Sequence, residues 1–296
     1  MPRSAALLLV VAAVVASAAP AGAAFPGANG RLAYASHSSD EPELGPPFRY
    51  ERAIRTVRPS GTGVRTVIGC TSSESGPVSG NCGISAYRDP AFSPDGKLIA
   101  FDAGAGLALA RPDGNGLQLL AAHGRDDGEP AFSPPGGRLA FSSDGDLWVS
   151  RRDGSDARRI VQRGASPTWS ARGWIAFARR GNVWRVRPGG GNLRRLTGRG
   201  GSSPAWSPHG TKLAFARGDG ILVLDLRSGR VRRAISGTSA LSIAWSPDGR
   251  RLAWTSFDGT LLVARTDGSG ERQLVFGASN ATSSLSASGV DWQPLP

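Results

Sequence analysis

The sequence predicts an all-β chain: a six-bladed β-propeller of four-stranded antiparallel blades, with the C-terminal strand completing blade 1. Three observations carry this. A phrase of a small residue, an aromatic and a Ser-Pro-Asp-Gly-like turn recurs about every 40 residues. Each copy is followed by three further short apolar runs separated by Gly-containing turns, which together make a four-stranded meander. Finally, a lone copy of the second run stands near the start of the chain, and its missing first run stands at the end.

Composition agrees. Gly 41 and Pro 21 make up about a fifth of the 296 residues, above average usage but below the level of disordered or collagen-like chains. With 40% hydrophobic residues there is enough apolar material for a core, so disorder throughout is excluded. Lys97 and Lys212 are the only lysines, so the net charge of +12 rests on arginine.

Residues 1–24 read as a signal peptide. Arg3 supplies a positive start, Ala5 to Ala19 an uncharged apolar run, and Ala21-Gly22-Ala23 small residues at the cleavage site. The run is shorter than the roughly 20 residues a membrane span needs. Residues 25–296 are then one exported propeller domain with no stable membrane insertion. In an oxidising compartment, Cys70 and Cys82 are expected to form a disulfide closing a surface loop.

The repeats follow in order. The lone second run is Leu32-Ala33-Tyr34, in a first repeat near 31–68. The full first phrase reads Ala91-Phe92-Ser93-Pro94-Asp95-Gly96, then Ala131-Phe132-Ser133-Pro134-Pro135-Gly136, then Thr168-Trp169-Ser170-Ala171-Arg172-Gly173. Ala205-Trp206-Ser207-Pro208-His209-Gly210 and Ala244-Trp245-Ser246-Pro247-Asp248-Gly249 complete the set. These open repeats near 88–121, 129–161, 166–197, 203–235 and 241–275, and Trp292 marks the closing strand at 287–294. Within each repeat, strands are lettered A to D in blade order. The second run of every repeat is an aliphatic, an alanine and an aromatic, as in Ile99-Ala100-Phe101 and Leu252-Ala253-Trp254. Its aromatic should fill the space between blades, and its alanine should let neighbouring sheets approach.

These phrases resemble the propeller repeats of the TolB family. The stretch Asp89-Pro90-Ala91-Phe92-Ser93-Pro94-Asp95-Gly96-Lys97-Leu98-Ile99-Ala100-Phe101 matches that pattern nearly throughout, and the resemblance spans about residues 25–296. It implies a cell-envelope propeller able to dock a protein partner. The α/β domain that precedes the propeller in TolB has no counterpart between the leader and the first repeat.

No catalytic or metal-binding motif emerges. The chain lacks Gly-x-Ser-x-Gly, and His37, His123 and His209 lie far apart without flanking ligand patterns. Asp95, Asp113, Asp153, Asp248 and Asp267 precede Gly in turns, where turn geometry accounts for them. No cofactor is expected. Arg158-Arg159, Arg194-Arg195, Arg232-Arg233 and Arg272 fall on outer strands D, where charge discourages edge pairing. Others, including Arg111, Arg151, Arg152 and Arg187, flank the C–D turns; aromatic residues are not expected to interleave with this charge around the rim, which argues against nucleic acid as a partner.

Loop length is the one asymmetry. All three long insertions surround blade 1 on the face of the B–C and D–A connections: His37–Arg49, Gly69–Tyr87 and Gly277–Ser288. The expected recognition surface therefore includes His37, Asp40, Glu41, Glu43, Phe48, Arg49, Glu74 and Tyr87. The reading is a monomeric, non-catalytic scaffold for a protein or cell-envelope component. The alternative is a propeller lyase or carbohydrate-active enzyme with its site at the central channel.

Overall fold

The computed structural model describes residues 25–40, 49–73, 87–275 and 283–295. Within them 24 strands form six four-stranded antiparallel sheets. Blade 1 holds β1 (Ala28–Asp40), β2 (Arg49–Val57) and β3 (Arg65–Ser73), with β24 (Ser283–Leu295) from the far end of the chain as its strand A. Blade 2 comprises β4 (Arg88–Phe92), β5 (Ile99–Asp102), β6 (Leu107–Ala110) and β7 (Gln118–Leu119). In blade 3 are β8 (Asp127–Phe132), β9 (Arg138–Ser143), β10 (Asp146–Arg151) and β11 (Arg158–Val161). Next comes blade 4, with β12 (Ala165–Trp169), β13 (Ile175–Arg179), β14 (Asn182–Val186) and β15 (Arg194–Arg195). Blade 5 is β16 (Ser202–Trp206), β17 (Lys212–Ala216), β18 (Gly220–Asp225) and β19 (Val231–Ser236). Finally, blade 6 is β20 (Ala240–Trp245), β21 (Arg251–Ser256), β22 (Leu261–Arg265) and β23 (Arg272–Val275).

Strands A are innermost. They touch one another in ring order, β24 to β4, β8, β12, β16, β20 and back to β24, while the short strands D carry the exposed residues. Packing follows the repeat. The alanine of every second run (Ala33, Ala100, Ala140, Ala176, Ala214, Ala253) is wholly shielded from solvent, as are the A-strand aromatics Phe132, Trp206 and Trp292. Each blade thus buries its faces against its neighbours.

The recurrent turn has one geometry. Gly96 donates its N–H to the Ser93 carbonyl at 2.8 Å, and the same bond recurs at Gly136, Gly173, Gly210 and Gly249. Gly96 has φ +66°, which glycine adopts without strain. Ser93 Oγ donates to Asp95 Oδ1 at 2.6 Å and accepts from Leu98 N at 2.9 Å, which closes the turn from inside.

The ring is shut without a covalent bond. Trp292 packs among Leu32, Tyr34 and Leu261, while Phe92 N donates to Asp291 Oδ2 at 2.6 Å across the seam to blade 2. On the other side Val290 N donates to Ser242 Oγ at 3.1 Å, and Asn29 and Asp248 exchange two hydrogen bonds. Burial pushes the Asp291 carboxyl up to about 8, against the pull of the Phe92 and Trp292 N–H groups.

One expectation needs correction. His37, Asp40 and Arg49 do not lie in a loop, and neither do residues 69–73 and 283–288 of the other two expected insertions, which belong to β3 and β24. β1 and β2 stay paired from Leu32 opposite Val57 to Asp40 opposite Arg49, and β24 follows β1 out to Ser283. β3 completes the ladder, with Cys70 opposite Arg52 and Ser73 opposite Arg49. This stretch has no apolar alternation to mark it as strand. It is extended because pairing on both sides of β1 and β2 satisfies the backbone N–H and C=O groups. Blade 1 therefore continues past the ends of the other blades as a narrow four-stranded sheet, on the order of 15 Å for about five residues.

Candidate binding face around blade 1

The structure sorts the expected recognition residues into two rows and a remainder. His37, Arg52 and Cys70 share one row of the ladder across β1, β2 and β3, and Asp40, Arg49 and Ser73 share another. His37 is exposed and Cys70 buried. Tyr87, with φ +62°, enters blade 2 half-buried against Phe101, ring centroids 5.9 Å apart. Glu41, Glu43, Phe48, Glu74 and Cys82 lie outside the described residues, so the Cys70–Cys82 pairing does too. The same holds for residues 1–24.

Beside this extension, on the same face, lies a cluster that sequence reading missed. Strand A carries a bulge at which one residue takes a left-handed backbone: Asp89, Glu129, Ser166, Ser203 and Gly289. In blades 2 and 3 this inner position holds a buried carboxyl. Glu129 accepts from Ser166 N at 2.5 Å, from Ser166 Oγ at 3.1 Å and from Ser142 Oγ. Asp89 is 7% exposed. Burial, then the charge of Glu129, pushes its carboxyl well above the usual range, with Arg88 pulling the other way. Burial likewise raises Glu129.

Arg88 anchors the cluster by donating through Nε and Nη2 to Asp102 Oδ2 at 3.0 and 2.6 Å, with Asp126 Oδ1 3.7 Å away. Next to it, Asp127 Oδ2 accepts from His123 N at 2.6 Å. A position-by-position alignment of the repeats would have exposed the pair, because Asp89 and Glu129 both stand two residues before the Ala of the first phrase. Among the described residues no three His, Cys, Asp or Glu side chains are arranged to hold a metal ion.

The opposite face, of A–B and C–D turns, is arginine-rich, and there the expected separation of arginine from aromatics does not hold. In blade 4 the guanidinium carbons of Arg185 and Arg187 lie 4.3 and 3.8 Å from the centre of the Trp174 ring, and at the B–C turn on the other face that of Arg179 lies 5.3 Å from the Trp184 ring. The strand D arginines fall where expected: Arg158-Arg159 on β11, Arg194-Arg195 on β15, Arg232-Arg233 on β19 and Arg272 on β23.

A closed ring of six four-stranded antiparallel blades defines a six-bladed β-propeller, similar in fold to TolB. Solved structures agree. TolB from Acinetobacter baumannii superposes with a TM-score of 0.64 at 21% identity, over 90% of this chain and 67% of that one. A chain of the nidogen/laminin complex gives 0.64 at 14%, over 89% and 98%. Oligogalacturonate lyase in complex with manganese gives 0.51 at 10%, over 86% and 87%. No protein-family model and no curated protein matches the chain. At such identities the likeness establishes the propeller alone. No helix among the described residues is long and apolar enough to cross a membrane.

Proposed function

We propose that the chain is an exported, non-catalytic propeller scaffold that binds a protein or cell-envelope component through the elongated end of blade 1. The observation that carries this reading is strand length. β1 and β24 run 13 residues and β2 and β3 run 9, against 2 to 6 in every other blade. Among the described residues no further strand pairs with β24 or β3, the edges of this projecting sheet, which makes them a template for an added strand from another protein. It stands beside the channel mouth, where Arg52 lies close enough to Arg88 for their charges to interact. Export rests on residues 1–24, and TolB is the fold-level analogy for an envelope role.

The test is capture from the envelope fraction of the producing organism, with the full chain and with a variant lacking residues 71–81 as bait. Loss of a defined partner by a variant that melts like the parent supports the reading. Capture that survives the deletion in a folded variant refutes it.

The enzymatic alternative draws on one observation, the raised and buried Asp89 and Glu129 at the inner end of strands A. Cleavage of acidic polysaccharide by the chain, abolished in Glu129→Gln, would favour it. The absence of product in the folded parent would remove it.

A further inference from the structure

We propose that the groove between blades 4 and 5 on the tight-turn face binds an oxyanion, the phosphate, sulfate or carboxylate group of a ligand. A cavity of about 220 Å³ lies there, lined by Arg172, Trp174, Arg185, Trp206, Thr211 and Arg227. Every charged residue lining it is an arginine. Two of its N–H donors, Trp206 Nε1 and Arg185 Nε, are shut off from water and have no acceptor. Trp206 is wholly buried beneath the groove, where its indole N–H reports on changes in the lining.

The cations are held in place rather than neutralised. Arg187 donates to the Arg172 carbonyl at 3.1 Å while lying over Trp174, and Arg172 Nε donates to the His209 carbonyl at 3.0 Å. Arg185 lies over the same indole, so the ring is already covered and the group left to recognise is a charge rather than a sugar face. Asp225, next along the chain from the Leu226–Arg227 lining, has its Oδ1 committed to Arg227 N, Ser228 N and Ser228 Oγ of its own turn. Burial, then Arg194 and Arg187, depresses the Arg185 pKa, the mark of a cation lacking a counter-charge.

The sequence carries the same signal. The A–B turns of blades 2 and 6 place Asp95 and Asp248 at their third position, whereas those of blades 4 and 5, which flank the groove, place Arg172 and His209 there. Comparable cavities on blades 3 and 6 differ. In the first, Asp156 pairs with Arg151 at 2.6 Å; the second, lined by Arg251, Arg265 and Arg272, has no aromatic lining and no orphaned donor.

The test follows the Trp206 indole N–H by NMR in the ¹⁵N-labelled chain, assigned with Trp206→Phe, during titration with inorganic phosphate, sulfate and acetate in turn. A saturable shift is expected with at least one, and the tightest names the class of group recognised. Arg185→Gln should weaken binding by about tenfold or more, and Arg227→Gln on its exposed turn should weaken it without touching the fold. Arg265→Gln on blade 6 should leave it unchanged. Should Arg185→Gln fail to fold, Arg227→Gln decides alone. No saturable shift with any of the three anions overturns the proposal, as does equal weakening by Arg265→Gln, which would mark general charge attraction.

Discussion

Trp292 and Trp206 make a matched pair for testing how the ring is closed. Both sit at the aromatic position of strand A, both are fully buried, and both have an indole N–H without an acceptor. Replacing either by alanine therefore removes the same packing and no hydrogen bond. One lies in a seam between blades continuous in the chain, the other in the seam made by the two chain ends. Removing a buried Trp side chain costs about 3–5 kcal/mol, a large part of the roughly 5–15 kcal/mol that holds a typical domain folded. At about 2–4 °C per kcal/mol for a chain somewhat under this size, each variant should melt about 10 °C below the parent. Thermal unfolding followed by circular dichroism in anion-poor buffer measures both, with the exposed Leu119→Ala as a control near zero. Equal losses mean that the closing seam is packed as firmly as an internal one. A Trp292→Ala loss no larger than that of Leu119→Ala would refute the closure argument, because β24 would then be contributing no burial.

Other outcomes follow from the same contacts. Asp291 has a folded pKa raised to about 8 from 3.8, so between these values the folded chain keeps a proton that the unfolded chain has released. Stability should therefore fall as pH rises through that window, and Asp291→Asn should flatten the slope; parallel urea midpoints against pH for parent and variant would contradict this. Ala140→Leu inserts bulk between blades where no solvent reaches and should cost about 1–3 kcal/mol by urea titration. A Cβ on Gly96 would meet the Pro294 carbonyl oxygen at 2.3 Å, whereas one on Gly145 meets nothing within 4 Å, although both have positive φ. Gly96→Ala should accordingly lower the melting temperature more than Gly145→Ala, and equal shifts would mean that the closing strand yields.

What could be read from the sequence, and what could not, follows from where burial imposes a pattern. Ala100 and Ala253 must be small and Phe132 and Trp292 large because two sheets meet over them, so the period, the blade count and the closing strand are all visible in the repeat. The extension of blade 1 is not. Ser36, His37, Ser38 and Ser39 show no alternation, because their strand is fixed by backbone pairing on both sides rather than by an apolar face. Asp89 and Glu129 are not legible as a pair because they stand 40 positions apart and meet only when the ring forms, and Arg172 and His209 belong to different repeats, so the groove they flank exists only between blades.

The pairing of Ala28 with Leu295 and Asp40 with Ser283 has a temporal consequence. The first strand of the chain to emerge cannot complete its sheet until the last has followed it. Blades 2 to 6 can each form their strands from local segments, whereas the contact that turns the row into a ring spans almost the whole polypeptide and carries the largest loop-closure entropy. Blades 2 to 6 can therefore stand as an open row until β24 reaches β1, and that strand acts as the latch.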